Sequence, residues 1–87
     1  MGTQNRKAST EIRWRLSTNL KRLREARGYT QKELAERCGF RKTYIGNIEQ
    51  GVVNISLANL EALANGLGCA EEDLLRRPSS RDASRER

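Results

Sequence analysis

Lys42, Thr43 and Asn47 are the side chains of this sequence best placed to make directed polar contacts with another molecule. In the run RKTYIGNIEQ (41–50), Ile45 and Ile48 share one side of a helix. At ~100° per residue Thr43 falls roughly opposite them, flanked by Lys42, Gly46 and Asn47. That outer face is small, polar and basic. It carries an ammonium, a hydroxyl with its methyl group, and a carboxamide that both donates and accepts. Such a face can enter a groove and present donors. Covalent chemistry has far less to work with. There is no histidine, no Ser-His or Cys-His pair and no glycine-rich phosphate loop. Glu71, Glu72 and Asp73 suit a helix N-terminus better than acid–base catalysis. No enzymatic activity is expected.

The two cysteines, Cys38 and Cys69, stand 31 residues apart and have no further ligands at sensible spacing, so no zinc set can be assembled. Each sits where a small apolar residue would face the core, which favours buried free thiols; a disulfide is the alternative. No metal or other cofactor is expected.

The elements that must hold Lys42, Thr43 and Asn47 can be read from local punctuation. TQKELAERCGFRKTYIGNIEQG (30–51) begins with Thr30 and Glu33 at capping-box spacing, and Tyr29 and Leu34 are placed as a hydrophobic staple. Leu34, Ala35 and Cys38 form one apolar face, and Gly39 supplies a left-handed stop. A second short helix follows from about Arg41 to Glu49, closed by Gly51. Two short helices joined by a tight glycine-containing turn read as a helix-turn-helix. Upstream, Leu16, Leu20 and Leu23 recur at helical spacing with Ile12 in line to extend them, so a helix is expected from near Thr10 to Arg27, ended by Gly28. Trp14 lies off that stripe and reads as a partly exposed packing residue. Downstream, Ser56 is the expected N-cap of a fourth helix, with Ile55 and Leu60 as its staple. Leu57, Leu60, Leu63, Ala64 and Leu67 form its inward stripe, and Gly68 closes it. Residues 70–75, AEEDLL, make a short fifth helix. The expected fold is all-α, five helices over residues 10–77. Disordered tails are expected at 1–9 and 78–87.

The 87 residues suffice for one small domain with a marginal core, so self-association would add stability. The net charge is +6, unevenly spread. Residues 1–15 and 76–87 each carry +3, leaving 16–75 neutral. Within that neutral part, 21–42 hold eight bases against three acids, whereas 43–75 hold five acids and no base. A polyanion would meet the first half of the domain and both tails. No apolar run approaches the ~20 residues of a membrane span, and the N-terminus lacks a signal-peptide apolar region, so a cytoplasmic protein is expected. A membrane-surface binder would need a cationic amphipathic helix with large apolar anchors, which is missing.

These motifs together resemble the Cro and lambda-repressor-like (XRE-type) helix-turn-helix domains. The resemblance runs from about Leu16 to Leu75 and rests on RLREARGYTQ, ELA, YIGNIEQG and LEALANGLG in that order. Within the family it resembles small stand-alone regulators, including controller proteins of restriction-modification operons, whose recognition helices carry a similar R/K-T-Y-I run. The resemblance implies a five-helix DNA-binding domain whose recognition helix, about 41–49, lies in the major groove of double-stranded DNA. It implies base contacts from Lys42, Thr43 and Asn47, with Tyr44 at the groove edge. Phosphate contacts would come from Gln31, Arg41 and the backbone around Val53 and Asn54. Arg24 and Glu49 match a structural ion pair. The operator is expected to be palindromic and the protein a homodimer, with Leu57, Leu74 and Leu75 as candidate apolar contacts. No small-molecule ligand domain is expected. Two departures stand out: Arg41 replaces the usual Ser, Thr or Asp cap, and Gly46 removes a side chain from the groove face. The alternative is a protein-interaction or antitoxin-like module on the same fold.

Overall fold

The computed structural model describes the backbone of residues 2–78 and the side chains of 11–78. Five α-helices follow one another: α1 (Gly2–Ala26), α2 (Gln31–Cys38), α3 (Lys42–Glu49), α4 (Leu57–Leu67) and α5 (Glu71–Leu75). Helix α1 packs against α3 and α5, α2 against α3 and α4, and α4 against α5. Among the described residues there is no strand.

The short helices are bounded by their own ends. Glu33 N–H donates to Thr30 Oγ1 at 3.0 Å and Thr30 N–H donates to Glu33 Oε1 at 2.8 Å, a reciprocal capping box at the head of α2. Gly39 stops that helix at φ 78°, a conformation a β-carbon would strain. Ser56 Oγ accepts from Asn59 N–H at 3.0 Å to open α4. Arg41, at the N-cap of α3, makes no side-chain capping bond, so α3 is fixed by packing and not by its cap.

The core collects Leu16 and Leu20 from α1, Leu34 and Ala35 from α2, Ile45 and Ile48 from α3, Leu60, Leu63, Ala64 and Leu67 from α4, and Leu74 from α5. Each fully buried Leu or Ile contributes about 1.5–3 kcal/mol relative to exposure, which is how an eight-residue helix with an unsatisfied cap stays folded. Asn19 is also buried. Its Nδ2 donates to Leu74 O at 3.0 Å and Arg76 O at 2.7 Å, tying the C-terminal end of α5 to α1.

Four sequence expectations change. Helix α1 begins at Gly2 and not near Thr10. Residues 2–9 contain no proline, so the helix propagates outward from its packed part at one hydrogen bond per residue. Leu57 is 84 % exposed instead of inward-facing, because it opens α4 at the edge of the domain, where no neighbouring helix covers it. Leu74 is fully buried in this domain and is no candidate for a surface contact. Cys38 and Cys69 are free thiols but only half-buried. Burial pushes both above the ordinary thiol value, opposed at Cys38 by Arg37 and at Cys69 by Arg27. The C-terminal segment from residue 79, expected as a disordered tail, and Met1 lie outside the described residues.

Candidate nucleic-acid interface

Helix α3 is oriented by its two isoleucines. Ile45 and Ile48 are buried to 0 % and 1 % exposure, which turns Lys42 and Thr43 fully outward and leaves Asn47 half-exposed beside them. Asn47, Thr43 and Arg41 line a shallow hollow with Gly39, Phe40 and Tyr44, so the turn before α3 and its outer face form one continuous surface. Apart from the Gln31 side chain of α2, which lies against Gly46, the Lys42–Thr43 part of this surface is exposed.

Tyr44 is held from two sides. Its ring meets Phe40 edge to face, with centroids 5.0 Å apart and planes at 81°. Its hydroxyl accepts from Asn59 Nδ2 at 2.9 Å, which ties α3 to α4. The tyrosine thus braces the helix at the edge of the outer face, with its polar atom already engaged.

A buried ion pair fixes the other end of α3. Arg24 Nε lies 2.6 Å from Glu49 Oε2 and Arg24 Nη2 lies 3.1 Å from Glu49 Oε1, a fork-to-fork contact between α1 and α3. Only 11 % and 5 % of the two side chains are exposed. The hydrogen bonds to Glu49 hold the Arg24 guanidinium above its already high ordinary pKa, against the desolvation that would lower it. Arg24 Nη1 also donates to Tyr29 O at 2.7 Å, just before α2 begins. The end of α1, the entry to α2 and the end of α3 are therefore locked together through one side chain.

Gln31, at the first position of α2, joins the same network: its Nε2 donates to Glu49 Oε1 at 3.1 Å. Its side chain lies against α3, while its own backbone amide stands in the first turn of α2, where intrahelical acceptors are lacking. Across the hollow, Arg41 is exposed. Val53 is half-buried against the core, and Asn54 is exposed, with its Oδ1 accepting from Arg13 Nη1 at 3.4 Å. The contacts Gln31–Glu49, Asn59–Tyr44 and Arg13–Asn54 join residues 18, 15 and 41 apart and have no local signal in sequence. Asn19 did leave a signal: it is a polar residue next to the Leu16–Leu20 stripe.

The outer side of α3 presents the donors of Lys42, Thr43 and Asn47, with Arg41 just before the helix.

A helix-turn-helix family model (HTH_3) matches residues 20–74, spanning α2, α3 and α4 with the parts of α1 and α5 that pack on them. A hypothetical transcription factor of Neisseria meningitidis is 38% identical over 71 residues, 82% of this chain and 67% of that protein. A crystal structure of a hypothetical transcription factor, NHTF, from Neisseria aligns with a TM-score of 0.77 at 37% identity, covering 84% of each chain. The restriction-modification controller protein C.AhdI of Aeromonas hydrophila aligns at 0.69 with 34% identity, over 71% of this chain and 94% of that one. The controller protein C.Esp1396I, solved as a tetramer in complex with its natural 35 base-pair operator, aligns at 0.68 with 28% identity, over 72% and 83%.

Proposed function

The chain belongs to the helix-turn-helix (HTH_3) family, and on that premise we propose that it is a transcriptional regulator that binds double-stranded DNA sequence-specifically through α3. The observation that carries this reading is the solvent-facing side of α3, with exposed Lys42 and Thr43 and half-exposed Asn47 opposite the buried Ile45 and Ile48. Lysine donates to guanine O6 or N7, asparagine pairs bidentately with adenine, and the threonine methyl touches a thymine methyl. Tyr44, oriented by the Asn59 amide that its hydroxyl accepts from, serves the groove edge and keeps its O–H proton for donation. Arg41, the first amides of α2 at Gln31 and the loop backbone at Val53 and Asn54 would grip phosphates on either side.

The regulator acts as a homodimer on a palindromic operator. One such domain reads only a few base pairs, and two domains about one helical turn apart supply the remaining contacts. The surface that supports pairing is an apolar groove lined by Ile12, Leu16, Val53, Ile55, Leu60 and Leu75, with Leu57 standing on its rim. Ile12 and Leu57 are 41 % and 84 % exposed, so apolar side chains stand beside this groove and a second copy could cover them. The similar controller C.Esp1396I is itself an assembly on its operator. The protein is expected to work where DNA is, in the cytoplasm; no helix of the described residues is long and apolar enough to cross a membrane.

The test is selection of bound sequences from a random duplex pool by the purified chain, followed by titration of the selected site against a scrambled duplex. A symmetric selected site with a specificity ratio of ~10³ or more supports the reading. Equal affinity for every duplex refutes it.

A further inference from the structure

Gln31 opens α2, yet its carboxamide is placed on α3. A β-carbon on Gly46 would stand 3.7 Å from Gln31 Oε1 and 3.9 Å from Nε2. The amide therefore lies in contact distance of where a β-carbon at position 46 would stand, and a side chain longer than a methyl there would meet it, next to Thr43 and Asn47 on the helix face. Its orientation follows from chemistry. The Glu49 carboxylate, held in place by Arg24, only accepts hydrogen bonds, so the Gln31 nitrogen and not its oxygen faces it. What remains for another molecule is the carbonyl oxygen and one N–H. Oε1 accepts no hydrogen bond among the described residues, and the side chain is half-exposed.

That residual pattern discriminates between ligands. A phosphate diester offers no donor, so it has nothing for a carbonyl oxygen. In the major groove the donors are the exocyclic amino groups of adenine and cytosine, and an adjacent acceptor and donor match adenine N6 and N7. We propose that Gln31 is a specificity-determining residue that reads an adenine in the major groove, through the gap left by Gly46 and with its amide oriented by Glu49. The bare backbone of Gly46 lets a side chain from the neighbouring helix act as a fourth reader on α3. This inference rests on α3 being the reading helix.

The experiment uses the full chain and the duplex it selects. Gln31→Met keeps the length of the side chain and removes both polar functions; Gln31→Ala, with high helix propensity at an exposed first turn, repeats the comparison if the first variant misfolds. Each is titrated on the selected site, on its single base-pair variants and on a scrambled duplex, beside Asn47→Ala. The expected result is an affinity loss of about 5–150-fold on the selected site, with scrambled-duplex affinity and salt slope unchanged. One A·T preference of the wild type disappears in both Gln31 variants. A second readout leaves the protein untouched: replacing that adenine by purine, which lacks the 6-amino group, weakens the wild type and not the variants. Equal losses on all duplexes with every base preference retained overturn the proposal. If Asn47→Ala changes a base preference and the Gln31 variants do not, Gln31 is not a reader although α3 is. If neither changes one, the reading of α3 falls too.

Discussion

A β-carbon on Gly66 would fall well inside van der Waals contact of the Cys38 sulfur. Here α4 meets α2 through a residue with no side chain set against one with a short one, and Arg37 Nε donates to Gly66 O at 2.8 Å at the same crossing. Helices can come this near only where a side chain is missing. Helix α2 packs against both α4 and α3, so this crossing lies next to the turn that leads into α3.

Gly66→Ala is accordingly expected to destabilise the domain. Overpacking costs about 1–3 kcal/mol, against which the gain in helix propensity returns about 1 kcal/mol. Cys38→Ala removes the sulfur, so the double variant is expected to recover part of the loss. Denaturant unfolding of the four members of this cycle measures the coupling. Strict additivity would show that α4 and α2 do not meet there.

Gly46 is the opposite case. Its φ is not positive, and an added methyl meets the Gln31 side chain at ordinary contact distance. Gly46→Ala is expected to raise stability by about 1 kcal/mol, the helix-propensity difference. A higher denaturation midpoint at unchanged slope is the expected observation; a lower midpoint would mean that the Gln31 amide is displaced.

Much of the framework was legible because it is local. The Thr30–Glu33 box, the glycine stop at Gly39 and the Ser56 cap are each decided by residues within one turn. What failed was inference about coverage. The 3.6-residue period put Leu57 in line with the stripe of α4, yet it is exposed, because period gives direction and not whether another helix lies in that direction. Leu74 illustrates the converse: a residue expected on the surface is covered because Asn19, 55 residues earlier, pins the end of α5. The network through Glu49 is equally non-local. Its two partners come from different helices, and the side-chain orientation of Gln31 depends on both.

Leu57 offers the test of self-association. An exposed leucine beside an apolar groove is expected to lie in the dimer contact, so Leu57→Asp places a charge against apolar surface in each copy. Sedimentation equilibrium is expected to show a monomer where the wild type is dimeric, with circular dichroism unchanged because the residue is outside the core. Affinity for the full palindrome would fall while affinity for a half-site stays the same. A variant that remains dimeric would move the interface elsewhere.

The last prediction separates reading from gripping on the same surface. Thr43 and Asn47 sit on the outer face of α3, whereas Arg41 precedes the helix, exposed and without a capping bond. Base-edge contacts exist only with the right bases, so Asn47→Ala or Thr43→Ala is expected to cost about 1–3 kcal/mol on the selected operator and much less on scrambled DNA. Arg41→Ala is expected to weaken both duplexes alike and to shallow the plot of log K against log salt by about one unit, as follows when a single phosphate is no longer neutralised. Lys42, with a long stem at the start of the helix, can reach a guanine edge or a phosphate, and the same titrations assign it by which of the two patterns Lys42→Ala follows. Since Arg41, Thr43 and Asn47 line one hollow, a general distortion of α3 would move all three variants together. Divergence between the Arg41 variant and the other two therefore requires separate roles, and equal losses on operator and scrambled duplex for Asn47→Ala and Thr43→Ala would remove this face as the reader.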